Sequence, residues 1–169
     1  MSDEKLFSEA RSSRTNSTCL KTQTGAIIVK NGALISRGAN LCAPDGQTHG
    51  QAVFSCPRMA IKTGAGYELC RPIHAEVMAC LNVRNERTQE ELARFASHLE
   101  PSTEEILTAF RPEELSRLAG ATLYLVGHYW ACEGCKRLTK TLGISEIKFD
   151  PITGEETKSR YETGGLAKQ

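Results

Sequence analysis

Two short segments constrain this chain more than anything else in its 169 residues: His74-Ala75-Glu76 and Cys132-Glu133-Gly134-Cys135. One imidazole, one carboxylate and two thiols at these spacings are the parts of a catalytic zinc site. Zinc takes nitrogen and sulfur ligands tetrahedrally, and a hydrolytic site uses three protein ligands and keeps the fourth position for water. His74, Cys132 and Cys135 supply the three, and Glu76 is left as the proton carrier. Any fold that serves this chemistry must bring the two distant segments together.

Composition limits what such a site can act on. Lys and Arg number 21 against 20 Asp and Glu, a formal net charge of +1. The basic footprint of a protein that grips a long nucleic acid is therefore missing, and nucleic acid is not an expected partner. Aromatic residues make up 6% of the chain, too few to indicate a base-stacking groove. No apolar run approaches a membrane span, and the acidic start Met1-Ser2-Asp3-Glu4 is unlike a secretory signal. A soluble, cytoplasmic protein without a membrane partner is expected. Its seven cysteines, odd in number, point to reduced thiols and metal binding and away from a disulfide framework.

One domain is expected over residues 1–169. Residues 3–17 predict a helix, with Leu6, Phe7 and Ala10 as its apolar stripe. Thr24–Lys30 reads as a buried strand, Asn31-Gly32 as a two-residue hairpin turn, and Ala33–Gly38 as the returning strand. From Ala39 to Arg71 the pattern dissolves into a long loop with one helical turn near Arg58–Lys62; a loop of this length needs a function or a tether. A helix is predicted from Pro72 to Val83, burying Val77, Cys80 and Leu81. Residues 85–119 read as a charged helical insert in two or three pieces, with a capping box at Ser102–Glu105 and a helix start at Pro112. The insert carries no metal-ligand pair and is expected to be a lid or subunit contact, with His98 solvated.

Ala121–Gly127 reads as a central strand, Cys132–Leu142 as a helix ended by Gly143, and Ile144–Phe149 as a further strand. Residues 150–169 read as a turn, an edge strand and a polar tail at 155–169. This order specifies an α/β fold, a three-layer α/β/α sandwich around a mixed sheet of four to five strands. Both metal-binding segments then start helices, where the positive end of the helix dipole favours the thiolates that zinc requires. His74 and Glu76 are two apart, so on a regular helix they do not face each other. They converge only if both reach past the helix end.

With the hairpin, His74-Ala75-Glu76 and Cys132–Cys135 in this order, the chain resembles the zinc-dependent cytidine and deoxycytidylate deaminase superfamily. The signature of such deaminases is H-x-E followed by P-C-x-x-C. The run Cys19-Leu20-Lys21-Thr22-Gln23-Thr24-Gly25-Ala26-Ile27-Ile28-Val29 and the Gly38-Ala39-Asn40 loop are most similar to the deoxycytidylate branch. The resemblance implies a cytidine deaminase-like fold and a catalytic zinc on His74, Cys132 and Cys135. It also implies that Glu76 shuttles the proton and that Asn40 meets the sugar hydroxyl. The implied reaction is hydrolytic deamination of a cytosine nucleotide, dCMP to dUMP with release of ammonia, by a homo-oligomer. Two departures stand out: Trp130-Ala131 replaces the family's Ser-Pro, and the chain stops soon after Phe149, which implies a trimmed sheet edge.

Cys19, Cys42, His49, Cys56 and Cys70 fall in or beside the long loop. Some deoxycytidylate deaminases carry an extra zinc in the corresponding region, and a closed structural site needs four ligands. The set expected here is Cys19, His49, Cys56 and Cys70, with Cys42 in reserve; the alternative is free thiols. Cys80 reads as a buried free thiol and His128 as a structural hydrogen-bonding residue. Arg14, Lys21, Arg58 and Arg71 are available to meet a phosphate. Two other functions fit the zinc motif: a deaminase acting on a base in single-stranded DNA or RNA, and a zinc-stabilised binding module without catalysis. The near-neutral charge disfavours the first, and Glu76, which a structural zinc does not use, disfavours the second.

Overall fold

The computed structural model describes residues 2–44, 46–62, 65–97 and 99–162. His98 and the tail from residue 163 onward lie outside the described residues. Asn31 and Gly32 both have positive φ, 51° and 76°, the type I′ geometry that an Asn-Gly pair favours. They fold Gly25–Lys30 (β1) back on Ala33–Ala39 (β2). Thr122–Val126 (β3) pairs antiparallel with the other edge of β1, and Glu146–Phe149 (β4) runs parallel to β3. The result is a mixed four-stranded sheet in the order β2-β1-β3-β4.

Alternation along β1 sorts its side chains to two faces. Ile27 and Val29, with Tyr124 and Val126, meet Leu6, Phe7 and Ala10 of the first helix, Asp3–Ser13 (α1). This helix ends earlier than its apolar stripe predicts and continues only as a 3-10 turn over Arg14–Asn16. Ala26 and Ile28, with Leu123 and Leu125, face the larger core built with Ala75–Leu81 (α2) and Glu133–Thr141 (α6). The helices on the two faces and the sheet between them make the three layers. Contact between β2 and α2 is so close that a Cβ on Gly38 would lie 2.2 Å from the Ala79 nitrogen and 2.5 Å from the Ala75 oxygen. Only glycine lets the helix that follows His74 settle there.

Helix α2 begins at Ala75, not at Pro72 as the sequence predicts. The Ile73 N–H donates to the Leu41 carbonyl at 2.9 Å, and the Ile73 carbonyl accepts from the Leu41 N–H at 3.0 Å. That bridge holds the chain extended up to His74, the N-cap residue. A second bridge joins Pro44 to Cys70. The turn predicted near Arg58 is a set of short turns, with Met59 bonding Cys56 and Ile61 bonding Arg58.

The insert forms three short helices, Gln89–Ala93 (α3), Thr103–Thr108 (α4) and Pro112–Leu118 (α5). Leu92, Phe95, Ala96, Ile106, Phe110 and Leu118 are buried in the same core as α2. The Arg87 side chain, 3% exposed, pairs with Glu114 at 3.3 Å and lies over the Phe110 ring. These residues pack the insert into the domain as part of its wall.

The segment after β4 is also corrected: it is a helix, Pro151–Glu162 (α7), and not a turn with an edge strand. Pro151 takes the first helical position, where its missing N–H is not needed. Asp150, wholly buried, accepts hydrogen bonds from the Ile152 nitrogen at 3.2 Å and the Thr153 hydroxyl at 2.8 Å. Arg11 of α1 donates to both of its carboxylate oxygens, at 2.9 and 2.8 Å. The Thr157 hydroxyl then ties α7 to the Gly127 carbonyl just beyond β3. No helix among the described residues is long and apolar enough to cross a membrane.

Burial alone would raise the Asp150 pKa, but hydrogen bonds from Arg11, Thr153 and Ile152 outweigh it and hold the carboxyl below its ordinary value. With the folded pKa below the unfolded one, near 3.9, this stabilisation is complete above the unfolded value and fades as pH falls through the folded one. Asp150→Ala should cost about 2–3 kcal/mol at neutral pH, less than the full worth of a buried pair because Arg11 keeps some solvent and its Glu4 partner. Urea unfolding of both proteins should show that gap at pH 7 and a smaller one at pH 3. An equal gap at both pH values would mean that the carboxylate charge is not what matters.

Candidate active site

The ligand positions follow from the helix starts. His74 is the N-cap of α2, with extended φ and ψ of −72° and 155°, and Cys132 is the N-cap of α6, at −67° and 160°. Neither is yet helical. His74 therefore escapes the geometry that would turn it away from Glu76, which sits in the first turn of α2. Cys135 lies in the first turn of α6. The His74 Nδ1 is 3.3 Å from the Cys135 Sγ and 3.5 Å from the Cys132 Sγ. Among the described residues, these three are the one group of His, Cys, Asp or Glu whose ligand atoms lie within 4.8 Å of one another.

Zn–S and Zn–N bonds of ordinary length meeting tetrahedrally place nitrogen and sulfur about 3.6 Å apart. The triad meets that spacing, so its residues fit a zinc ion. The local field fits as well. Cys132 is held as a thiolate, its pKa down to about 3, by the hydrogen bond from the Cys135 thiol and then by His74. Burial works against a charge on His74, yet Cys132 and Glu76 raise its pKa. The cluster thus draws positive charge, which a metal ion supplies. Glu76 is almost fully buried, and burial lifts its carboxyl above the usual range despite His74 nearby. A carboxyl so placed faces the metal-ligand atoms and is hydrogen-bonded to Cys135.

The triad opens into a cavity of about 450 Å³. Its walls come from every part of the fold. Lys21, Asn40 and Arg58 contribute from the first half of the chain, Phe95, Ser97 and Ile106 from the insert, and His128, Trp130 and Tyr161 from the last third. His128 stacks on Tyr129 with centroids 5.7 Å apart and meets Trp130 edge-on at 5.3 Å. Burial and the neighbouring His74 depress its pKa to about 4, so the ring is neutral. Its Nδ1 is buried with no hydrogen-bond partner among the described residues, so the structural bond expected of this residue is not made at that nitrogen. The parts of Tyr161 and Trp130 in the wall escape sequence reading, because Tyr161 lies on a helix the sequence does not announce. The buried Ala131 takes the place of the signature proline without breaking the approach to Cys132.

Asn40 reaches the cavity, but its side chain is chiefly a clamp. Its Oδ1 accepts from the Ser17 hydroxyl at 2.7 Å and the Thr24 nitrogen at 2.8 Å, and its Nδ2 donates to the Thr22 carbonyl at 2.9 Å. One amide hydrogen is left for a ligand. The residues expected to hold a second zinc are only partly brought together. Cys42, the reserve choice, is the hub: hydrogen bonds with Cys19 and Cys70 raise its pKa and lower theirs, to about 6 for Cys19 and about 7 for Cys70. The His49 Nε2 instead lies 2.9 Å from the Arg71 carbonyl oxygen, and Cys56 is not among the hydrogen-bond partners of the hub. Cys80 is a buried free thiol, pushed up by burial.

No curated protein sequence matches the chain. Among solved structures, it is similar to the dCMP deaminase from the cyanophage S-TIM5 in apo form, at 16% identity and a TM-score of 0.49, over 96% of this chain and 91% of that one. The same phage protein in complex with dCMP and dUMP gives 17% identity and a TM-score of 0.46, over 98% and 96%. A diaminohydroxyphosphoribosylaminopyrimidine deaminase/reductase from Thermotoga maritima gives 18% and 0.39, over 96% of this chain but 34% of that one. The family model for the cytidine and deoxycytidylate deaminase zinc-binding region matches residues 1–150. With that match spanning the hairpin, both ligand segments and the strands between them, the chain belongs to the cytidine and deoxycytidylate deaminase family of zinc-dependent hydrolytic enzymes.

Proposed function

We propose that the chain hydrolyses the amino group from a cytosine nucleotide, converting dCMP to dUMP and ammonia. The observation that carries this reading is the convergence of His74, Cys132 and Cys135 on one side of the Glu76 carboxyl, at the wall of a cavity large enough for a nucleotide. His74, Cys132 and Cys135 would hold zinc, which would supply an acidified water, its pKa lowered from about 15.7 toward about 7. Glu76 takes one proton of the water and delivers it to N3 of the base as C4 is attacked; it then takes the proton of the new C4 hydroxyl and passes it to the amine, which leaves as ammonia as the C4 carbonyl forms. Water is consumed and ammonia leaves, so the carboxylate ends as it began. Burial keeps Glu76 at the reacting atoms and away from bulk protons. The deoxycytidylate assignment rests on the resemblance of the Cys19–Val29 and Gly38–Asn40 segments to that branch.

The proposal includes a second zinc, structural in role. Cys42, hydrogen-bonded to both Cys19 and Cys70, links its first three ligands, although the three sulfurs do not all lie within 4.8 Å of one another, and Cys56 is the remaining cysteine of the loop for the fourth position. Thiolates are what such a site needs, and two of the three thiols are already lowered. Metal bound there would tie the start of the chain to the long loop, converting binding free energy into folding free energy.

Glu76→Gln keeps the shape and removes the proton carrier. Zinc content should be unchanged while turnover of dCMP falls by about 10²–10⁴; near-normal ammonia release by this variant would sink the mechanism. Ammonia release from cytosine, cytidine, dCMP, dCTP, single-stranded DNA and guanine identifies the substrate class, and a chain active on none of them is a binding module instead. Elemental analysis of protein prepared without chelator should give two zinc ions per chain, falling to one in Cys42→Ser with a lower melting temperature. One zinc in the unmutated chain rejects the second site.

A further inference from the structure

We infer that Trp130 and Tyr161 form an aromatic wall against which the planar ring of the ligand packs, so that α7, a helix beyond the family match, is part of the binding site. The identity of that ring as a cytosine rests on the proposed function; the wall rests on separate observations. The family match ends at residue 150, and α7 begins at Pro151. Trp130 stands where the family has serine, so both halves of the wall are departures of this chain. Nothing apolar explains where α7 lies. Its buried residues are Thr153, Gly154 and Thr157, and hydrogen bonds locate it instead. The Thr153 hydroxyl accepts from the Gly127 nitrogen at 2.7 Å, and the Thr157 hydroxyl donates to the Gly127 carbonyl at 2.7 Å. A Cβ on Gly154 would meet the Tyr129 Cβ at 3.4 Å, so the helix presses on the segment that leads to Cys132. Residues four apart share a helix face, and the face that carries Thr153 and Thr157 brings Tyr161 to the cavity.

Tyr161 is held at both ends of its side chain. Its ring centre lies 5.7 Å from that of His128, 6.1 Å from Tyr129 and 6.4 Å from Trp130, the last two rings nearly perpendicular to it at 76° and 78°. Its hydroxyl shares a hydrogen bond with Tyr67 of the long loop, whose ring lies under the Arg58 guanidinium at 4.0 Å. Edge-to-face packing of this kind fixes rings without covering all of their faces. Trp130 accordingly keeps 40% of its surface exposed, although it stands two residues from a metal ligand and lines the same cavity as Tyr161. Neither ring is among the buried core residues; each presents apolar surface to a space that a nucleotide fits. A flat heteroaromatic ring is what such a surface takes up, since every base has a π-face to offer it. A ring packed on Trp130 is held beside the segment that ends in Cys132.

Trp130 is the one tryptophan of the chain, so its fluorescence reports on this wall. The zinc-loaded protein is titrated with dUMP, with dGMP and with 2-deoxyribose 5-phosphate as a base-free control, while calorimetry follows binding. dUMP should quench or shift the emission, and the sugar phosphate should leave it unchanged. Tyr161→Leu should weaken dUMP binding about tenfold, the order expected for losing one stacking partner, with zinc content unchanged. Tyr161→Phe keeps the ring and loses only the hydroxyl, and should stay within about threefold of the unmutated chain. Unchanged emission with both nucleotides overturns the inference, and so does an equal change with the sugar phosphate. Equal weakening by Tyr161→Phe and Tyr161→Leu overturns it too, since the residue would then act only as a strut through its hydroxyl. Should Tyr161→Leu fail to fold, Trp130→Leu takes its place in the calorimetry, with the same loss expected. An emission change with dGMP and none with dUMP would overturn the cytosine reading and leave the wall standing, as would quenching by dUMP in a chain that releases no ammonia from dCMP.

Discussion

Everything at the candidate site depends on two chain segments passing from extended to helical at their ligand residues. His74 and Cys132 are both N-cap residues, so each has the extended backbone that lets its side chain reach beyond the helix end. The next residues of each helix, Glu76 and Cys135, complete the set from the first turn. What makes this possible is upstream of the ligands. The bridge between Leu41 and Ile73 keeps α2 from starting early, and Gly38 lets that helix lie directly on β2. On the other side, β3 runs beside β1 and delivers the chain toward α6. A metal site of this kind is therefore a property of strand–helix junctions. His74 and Cys132 are the last extended residues before dipoles of the right sign begin.

This explains which parts were legible in the sequence. The Asn-Gly hairpin, the capping box at Ser102 and the helix start at Pro112 are local signals whose outcome is decided within four residues. The His-x-Glu and Cys-x-x-Cys pairs were legible because metal chemistry fixes residue types and spacings more tightly than packing does. The start of α2 was not legible. It is set by a partner 32 positions away, Leu41 pairing with Ile73, and local rules assign Pro72 to a first turn. Helix α7 was hidden for a related reason. Its cap is Asp150, whose charge is stabilised by Arg11 from the far end of the chain, and its own residues are too polar to announce a buried face.

The insert shows the same limit in a different form. Its charged composition reads as a solvated lid, yet Leu92, Phe95, Ile106 and Phe110 are spaced so that each short helix buries one or two side chains. No single helix of five to seven residues carries a full amphipathic period, so the pattern is invisible within one element and visible only across three. The buried Arg87–Glu114 pair then sits inside what the sequence presents as surface charge. Asn40 carries a second role that its type does not announce. It lines the cavity and also spends three hydrogen bonds joining the stretch before β1 to the end of β2. The same bonds hold the cavity wall in place.

The net charge of +1 conceals a separation of charge within one cavity. On one side stand Glu76 and the Cys132 thiolate, whose field draws a cation to His74. Elsewhere on its wall stand Lys21 and Arg58, cations without a carboxylate partner among the described residues. A whole-chain charge count averages these to nothing, which is why composition disfavours an extended polyanion but is silent about a single phosphate. Low dielectric makes each half of the arrangement stronger than its surface equivalent, and it also makes each half unfavourable when empty. A metal cation at one end and a ligand anion at the other relieve the two costs independently. On the proposed reading, a ligand joining a base to a phosphate would meet both ends together, while a free base or an inorganic anion would meet only one.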